Sequence, residues 1–365
     1  MLKKIVITSV ILVIIAATSL YGGKQWLISL LPDKAHFLAL QKTQPDELPY
    51  LTNRLPANRG KILAVVTSVD SFGENRTTGY EHTELARAYW VFVANGFEVD
   101  IASPNGGKPP VKLDGDDMGA FDYAFLNDGD IQHKVAHSIP LADVDPLDYE
   151  AVYYVGGKGT MFDFPFNQDI KRITKTLYQN DKVISAVCHG PAALVNVQLD
   201  NGEMLLSNKK VSGFTNEEEL LIIPDAAEIF PFLLQDKLIA QGAQFQAGPA
   251  YLNQVSQDGK IITGQNPWSV WSMAEMVVRE LGYEPVPRKK TPEEYSVGLL
   301  QTYQKFGLEA AKTQLHQHPD SYQQLLIVMH GVLAFMQFEI GKGIEIIGLA
   351  VELKELISEK SGAKR

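Results

Sequence analysis

Cysteine occurs once in this chain, at Cys188, and histidine follows it directly at His189. A thiol beside an imidazole is a nucleophile beside a base, the pairing needed for covalent attack on a carbonyl carbon. The context runs Val183-Ile184-Ser185-Ala186-Val187-Cys188-His189-Gly190-Pro191-Ala192-Ala193-Leu194. An apolar run stops at the cysteine and Gly-Pro follows, which predicts a strand, a sharp turn and the start of a helix. Such an elbow holds a nucleophile at the edge of a sheet, and a helix N-terminus beneath it would favour the thiolate. Gly190 and Ala192 are small enough for close backbone approach. The alternative, an inert buried cysteine acting as a small hydrophobe, fits poorly with an apolar run broken by His, Gly and Pro.

Other residues are placed to complete such a site. Gly156-Gly157 lies just past an apolar run, so its amides could join that of His189 in meeting a developing oxyanion. Its surroundings do not match G-x-G-x-x-G, which leaves a dinucleotide site weakly supported. Glu84, shortly after Thr78-Gly79-Tyr80, could reach the sulfur from the loop after the first strand. Glu217, Glu218 and Glu219 follow Gly213-Phe214-Thr215-Asn216, and one of them could orient His189; an acidic triplet is otherwise a solvated helix start. His133 and His137 are four apart, but with no acidic partner they read as a surface pair rather than a metal site.

The elements that must hold these residues alternate. Lys61 to Thr67 reads as a buried strand, Glu84 to Asn95 as a helix ending at Gly96, and Phe97 to Ala102 as a strand. Ala151 to Val155 is a further strand, Ile170 to Asn180 a helix, and Val183 to Val187 the strand before the thiol. Lys210 to Ser212 and Lys260 to Thr263 follow as strands, with a helix from Ser269 to Leu281. This order implies an α/β fold with a parallel sheet covered on both faces, and ligands collect at the carboxyl ends of its strands.

Together these motifs resemble the ThiJ/PfpI superfamily, over about Lys61 to Gly282, and more narrowly its heat-shock chaperone and glyoxalase III branch. The adjacent Cys-His pair separates that branch from class I glutamine amidotransferases, whose separate His-x-Glu is not found downstream of the cysteine here. The resemblance implies a flavodoxin-like three-layer sandwich with Cys188 as nucleophile, His189 as base and Glu84 as the acid touching the sulfur. It also implies Glu219 as third triad member, Glu218 as the fallback, and Gly157 with the His189 amide as the oxyanion hole. The implied activity is glutathione-independent conversion of a 2-oxoaldehyde such as methylglyoxal to a 2-hydroxy acid, a glyoxalase III-like lyase reaction that needs no metal, nucleotide or other cofactor. A holdase chaperone, a repair protein for glycated proteins and a PfpI-like cysteine peptidase are the alternatives, and a homodimer is the expected assembly.

Composition bounds the rest. With 33 Lys+Arg against 43 Asp+Glu, the net charge of −10 and the absence of a basic run disfavour nucleic acid. A single cysteine excludes an internal disulfide and any multi-cysteine metal site. At the N-terminus, Lys3-Lys4 precedes an apolar stretch from Ile5 to Tyr21, the pattern of a secretory signal or an uncleaved anchor, so residues 1–22 are read as an export segment. The remainder would then be periplasmic or held at the inner membrane. Residues 23–60 read as a proline-bearing tether carrying the apolar piece Trp26 to Leu31, 61–283 as the α/β domain and 284–292 as a linker. Residues 293–365 form a helical extension, with Gly341 and Gly343 breaking its last two helices. Tyr322 to Ile340 is apolar enough to raise a membrane span, but His330, Gln337 and Glu339 argue for a packed helix.

Overall fold

Short apolar runs build the centre of the larger of two compact units, Leu40–Lys290; the second comprises Thr291–Arg365 and the chain up to Ala39. The computed structural model describes Trp26 and residues 29–30, 34–52, 56–74, 76–115 and 117–362. The export segment read over Ile5 to Tyr21 lies outside them.

Seven strands form the main sheet: β1 (Lys61–Val65), β2 (Glu98–Ser103), β3 (Ile139–Pro140), β4 (Ala151–Tyr154), β5 (Val183–Val187), β6 (Val255–Asp258) and β7 (Ile261–Gly264). Their spatial order is β6-β7-β5-β4-β1-β2-β3, and only the β6–β7 pair is antiparallel. Every residue of β4, β5 and β7 is buried, so both faces of the sheet are covered. Among the helices of this unit are α1 (His82–Ala94), α2 (Ala120–Asn127), α3 (Gln168–Gln179), α4 (Asn216–Ile222) and α5 (Val270–Glu280). In α1 all residues but Val93 are buried, because it packs between the sheet, α2 and α5. That burial includes Arg87, which pairs with Asp122 of α2 at 3.1 Å, donates to Asp117 O and Pro267 O, and lies over the Trp268 ring. A charge this deep is tolerable only when paired and fully hydrogen-bonded.

Several expectations are corrected. Lys210–Val211 pairs with Gln244–Phe245 in a separate two-stranded ribbon, because side chains of the main sheet take its donors: Asp258 accepts from Lys210 N and Thr263 from Ser212 N. The element after Cys188 is a five-residue 3-10 helix, Gly190–Leu194, not the start of an α-helix. The later part of the expected tether is docked: Leu48 and Tyr50 are buried, and Asn95 donates to the Tyr50 hydroxyl. The expected linker is pinned too, with Val286 N donating to Asn95 Oδ1 and Arg288 bonded to Glu275 at 2.8 Å over the Trp271 ring.

The second unit holds α6 (Pro292–Phe306), α7 (Leu308–Gln317), α8 (Gln324–Met336) and α9 (Ile340–Gly362). Thr291 caps α6 in a reciprocal box with Glu294. Among the described residues no helix is long and apolar enough to cross a membrane, and α8 has 13 residues with His330 buried in the bundle. Gly341 and Gly343 lie inside α9, and the chain turns earlier, at Gln337–Glu339. These glycines are not helix breaks: a Cβ on Gly343 would sit 2.6 Å from the Phe335 ring, and one on Gly331 2.6 Å from Ile347 Cγ1, so two glycines set how closely α8 and α9 approach.

Candidate active site

The elbow after β5 places Cys188 at a φ of +58°, a left-handed conformation that costs a non-glycine residue roughly 1–3 kcal/mol and persists only where neighbours enforce it. Here Cys188 N donates to Gly264 O at 3.0 Å, and Cys188 O accepts from Phe214 N at 2.8 Å. Gly190 lies so close to Tyr154 that any Cβ would strike its carbonyl. Successive side chains of an extended strand point to opposite faces, but at this turn they meet: Cys188 Sγ is 3.3 Å from His189 Nδ1.

The other imidazole nitrogen, Nε2, makes a short contact with Glu219 Oε2, and the imidazole lies against the Phe214 ring at 4.6 Å. Glu218 is occupied elsewhere. Its carboxylate accepts from Thr215 N and Oγ1, Tyr251 N, Gln265 Nε2 and Asn266 Nδ2, so it caps α4 and ties three segments together. Glu217 is exposed. The acidic triplet therefore divides into a solvated residue, a cap and the partner of His189.

Glu84 sits in the first turn of α1 with no exposed surface. One oxygen accepts from Gly156 N at 2.8 Å, and the carboxyl lies beside the Cys188 thiol, with Oε1 buried and making no hydrogen bond among the described residues. Burial pushes its pKa up to about 8, against the opposing pull of Cys188 and the Gly156 N–H. The thiol is also pushed up, first by burial and then by the Glu84 charge, while Lys158 acts in the opposite direction. The helix N-terminus expected to favour a thiolate is absent, and in the resting site the sulfur is held as a thiol. A protonated Glu84 removes the like charge beside the sulfur, so in the resting site both groups keep their protons.

Gly156 and Gly157 have different jobs. The Gly156 amide is committed to Glu84, and a Cβ there would lie 2.5 Å from Glu84 Oε2 and 2.8 Å from Cys188 Cβ. Gly157 has a φ of +104°, and no Cβ fits beside Glu81 N at 2.8 Å. The N–H groups of Gly157 and His189 donate to no group among the described residues. Thr160 ties their two segments together, its hydroxyl 2.8 Å from Gly157 O and 3.2 Å from His189 O.

Thr160 and Glu81 are site residues that motif reading passes over. The signals were a hydroxyl three residues past Gly157 and a second acid one turn before Glu84. Glu81 is itself held well above the usual carboxylate range, mainly by burial and then by Glu84. The His133 and His137 rings are 4.1 Å apart and exposed, and among the described residues no group of three or more metal-ligating side chains forms.

The sequence model of the DJ-1/PfpI family matches residues 76–280. Glyoxalase 3 of Candida albicans is 33% identical over 233 residues, covering 60% of this chain and 97% of that protein. The glutathione-independent glyoxalase HSP31 of Saccharomyces cerevisiae is 30% identical over 224 residues, covering 59% and 94%. Among solved structures, glyoxalase III from Candida albicans superposes with a TM-score of 0.56 at 28% identity, over 62% of this chain and 98% of its own. The Rapid Encystment Protein of 24 kDa from Francisella tularensis gives 0.58 at 34% identity, covering 61% and 100%.

Proposed function

The chain belongs to the DJ-1/PfpI family, and from that premise we propose that it is a glutathione-independent glyoxalase, converting methylglyoxal or a similar 2-oxoaldehyde to the 2-hydroxy acid through Cys188. The observation that carries this reading is a thiol in contact with both a paired histidine and a buried carboxyl whose pKa of about 8 lets it hold or yield a proton at neutral pH.

His189 takes the thiol proton as Sγ bonds to the aldehyde carbon, with Glu219 holding the imidazole in orientation and stabilising its charged form. Negative charge then develops on the former carbonyl oxygen, where the amides of Gly157 and His189 are available to donate. Return of the proton to that oxygen completes a hemithioacetal. Removal of the hydrogen on the same carbon gives an enediol, and protonation at the neighbouring carbon gives a thioester; Glu84, against the sulfur, is the group that relays this proton. Water activated by His189 cleaves the thioester, releasing the 2-hydroxy acid and restoring the thiol. The sum is one aldehyde and one water in, one hydroxy acid out, with no net redox change. The 5% exposure of Cys188 suits a small aldehyde better than a peptide, which favours this reading over a peptidase.

We further read Lys3-Lys4 with Ile5–Tyr21 as a membrane anchor or export signal, which would place the enzyme outside the cytoplasm. The test of activity is lactate formation from methylglyoxal with no glutathione present. Lactate is expected; its absence from protein whose Cys188 is readily alkylated would overturn the assignment.

A further inference from the structure

The turn between α8 and α9 exposes an unusual density of apolar side chains. Phe335, Met336, Phe338, Ile340 and Ile344 are all large and exposed, with Phe338 at 88% and Ile344 at 62%. Single exposed hydrophobes are ordinary on any surface, whereas a cluster at one corner marks a place of contact. The backbone makes Phe338 harder to explain by folding alone. Phe338 N donates to Phe335 O and Glu339 N to Ala334 O, the paired bonds of a Schellman helix end, and Phe338 holds the left-handed position at φ +62°. Glycine is the usual residue there because it carries no Cβ penalty. A phenylalanine in the most strained position of the turn, pointing its ring at solvent, answers to something outside the bundle.

The same unit indicates what that is. Half-exposed Trp26 shares with Phe335 and Ile344 the lining of a groove of about 840 Å³ on the helical unit. The chain that precedes Trp26 carries the apolar run Ile5–Tyr21 behind Lys3-Lys4. The first described residue after that run thus lies on the groove that Phe335 and Ile344 also line. Glu339 and Lys342 pair at 2.7 Å, so the turn itself adds no net charge, and with Glu352, Glu355 and Glu359 against Lys312 on the groove its attraction to a bilayer is apolar rather than ionic. We propose that the α8–α9 corner seats in the interfacial layer of the bilayer that Ile5–Tyr21 enters, with Phe338 and Ile344 inserted and Trp26 at headgroup depth. The inference rests on the reading of Ile5–Tyr21 as an anchor.

The test uses the full chain carrying Phe338→Trp, bound to phosphatidylcholine vesicles with and without brominated acyl chains. Trp90, Trp268 and Trp271 are buried in the other unit, so brominated chains reach only exposed indoles. The expected result is co-flotation with vesicles, a shift of the added emission to shorter wavelength than in lipid-free protein, and loss of that emission on brominated lipid. Co-flotation with the added emission unshifted and unquenched would overturn the proposal while leaving the anchor intact. Failure to float would remove the anchor and the proposal with it. A blue shift in lipid-free protein that sediments as a dimer would assign the corner to a second copy of the chain and overturn the bilayer.

Discussion

Replacing Glu84 by Gln separates the stability of the site from its chemistry. The amide is nearly isosteric with a protonated carboxyl: its oxygen can accept from Gly156 N, and its NH₂ takes the place of the second carboxyl oxygen beside the Cys188 sulfur. What disappears is titration. A carboxyl with an ordinary value of 4.5 in the unfolded chain and about 8 in the fold is protonated in both states at low pH and contributes nothing there. Between those values the unfolded chain releases a proton that the native site keeps, so the wild type loses stability as pH rises. At 1.36 kcal/mol per pH unit the interval gives an upper limit of about 5 kcal/mol, of which about 3 is reached by pH 7. Glu84→Gln should therefore match the wild type near pH 4.5 and become progressively more stable towards pH 8. Urea unfolding followed by tryptophan fluorescence, at pH 5, 6, 7 and 8, reads this in the α/β unit, where Trp90, Trp268 and Trp271 are buried. Other buried acids with raised values, Asp163 and Glu218 among them, titrate in both proteins and cancel in the difference. Parallel pH profiles for the two proteins would refute the claim that the buried carboxyl holds its proton. Turnover should fall by about 100-fold or more in the same variant, because an amide cannot relay a proton.

Three further outcomes follow from the geometry. Glu219→Gln keeps the side-chain volume but removes the charge facing His189, and should lower kcat about 100- to 10,000-fold in a steady-state lactate assay while leaving the circular dichroism spectrum unchanged. Asp122→Asn strips the buried Arg87 guanidinium of its counter-charge and should cost about 3–5 kcal/mol in urea unfolding, more than any exposed ion pair would. Phe338→Gly relieves the left-handed strain at the α8–α9 turn and should raise the stability of the helical unit by about 1 kcal/mol in urea unfolding followed by circular dichroism.

Much of this architecture was legible in periodicity. The β-branched runs Lys61–Val65 and Val183–Val187 became buried parallel strands because a doubly covered sheet needs apolar residues on both faces. Cys188, His189, Glu84 and Glu219 converge, and the choice between Glu218 and Glu219 was already present in the pattern Thr215-x-x-Glu218, a capping box that commits Glu218 to the helix start. What stayed hidden depends on tertiary placement. The stretch after Gly190 reads as a helix start, yet it closes after five residues in a 3-10 turn packed against β4, and the expected thiolate-stabilising terminus goes with it. Gly343 looks like a helix break in one dimension, and only the Phe335 ring beside it reveals a packing contact. Residues 284–292 have a linker's composition, but Arg288 finds Glu275 and Trp271 across the fold.

The central claim is that Cys188 forms the bond to substrate. Rapid acid quenching of the wild-type enzyme during turnover of methylglyoxal, followed by peptide mass analysis, should find a lactoyl group on the Cys188 peptide that disappears as substrate is exhausted, and Cys188→Ala should form neither adduct nor lactate. Undiminished lactate from Cys188→Ala, with no adduct on the wild type, would contradict the account.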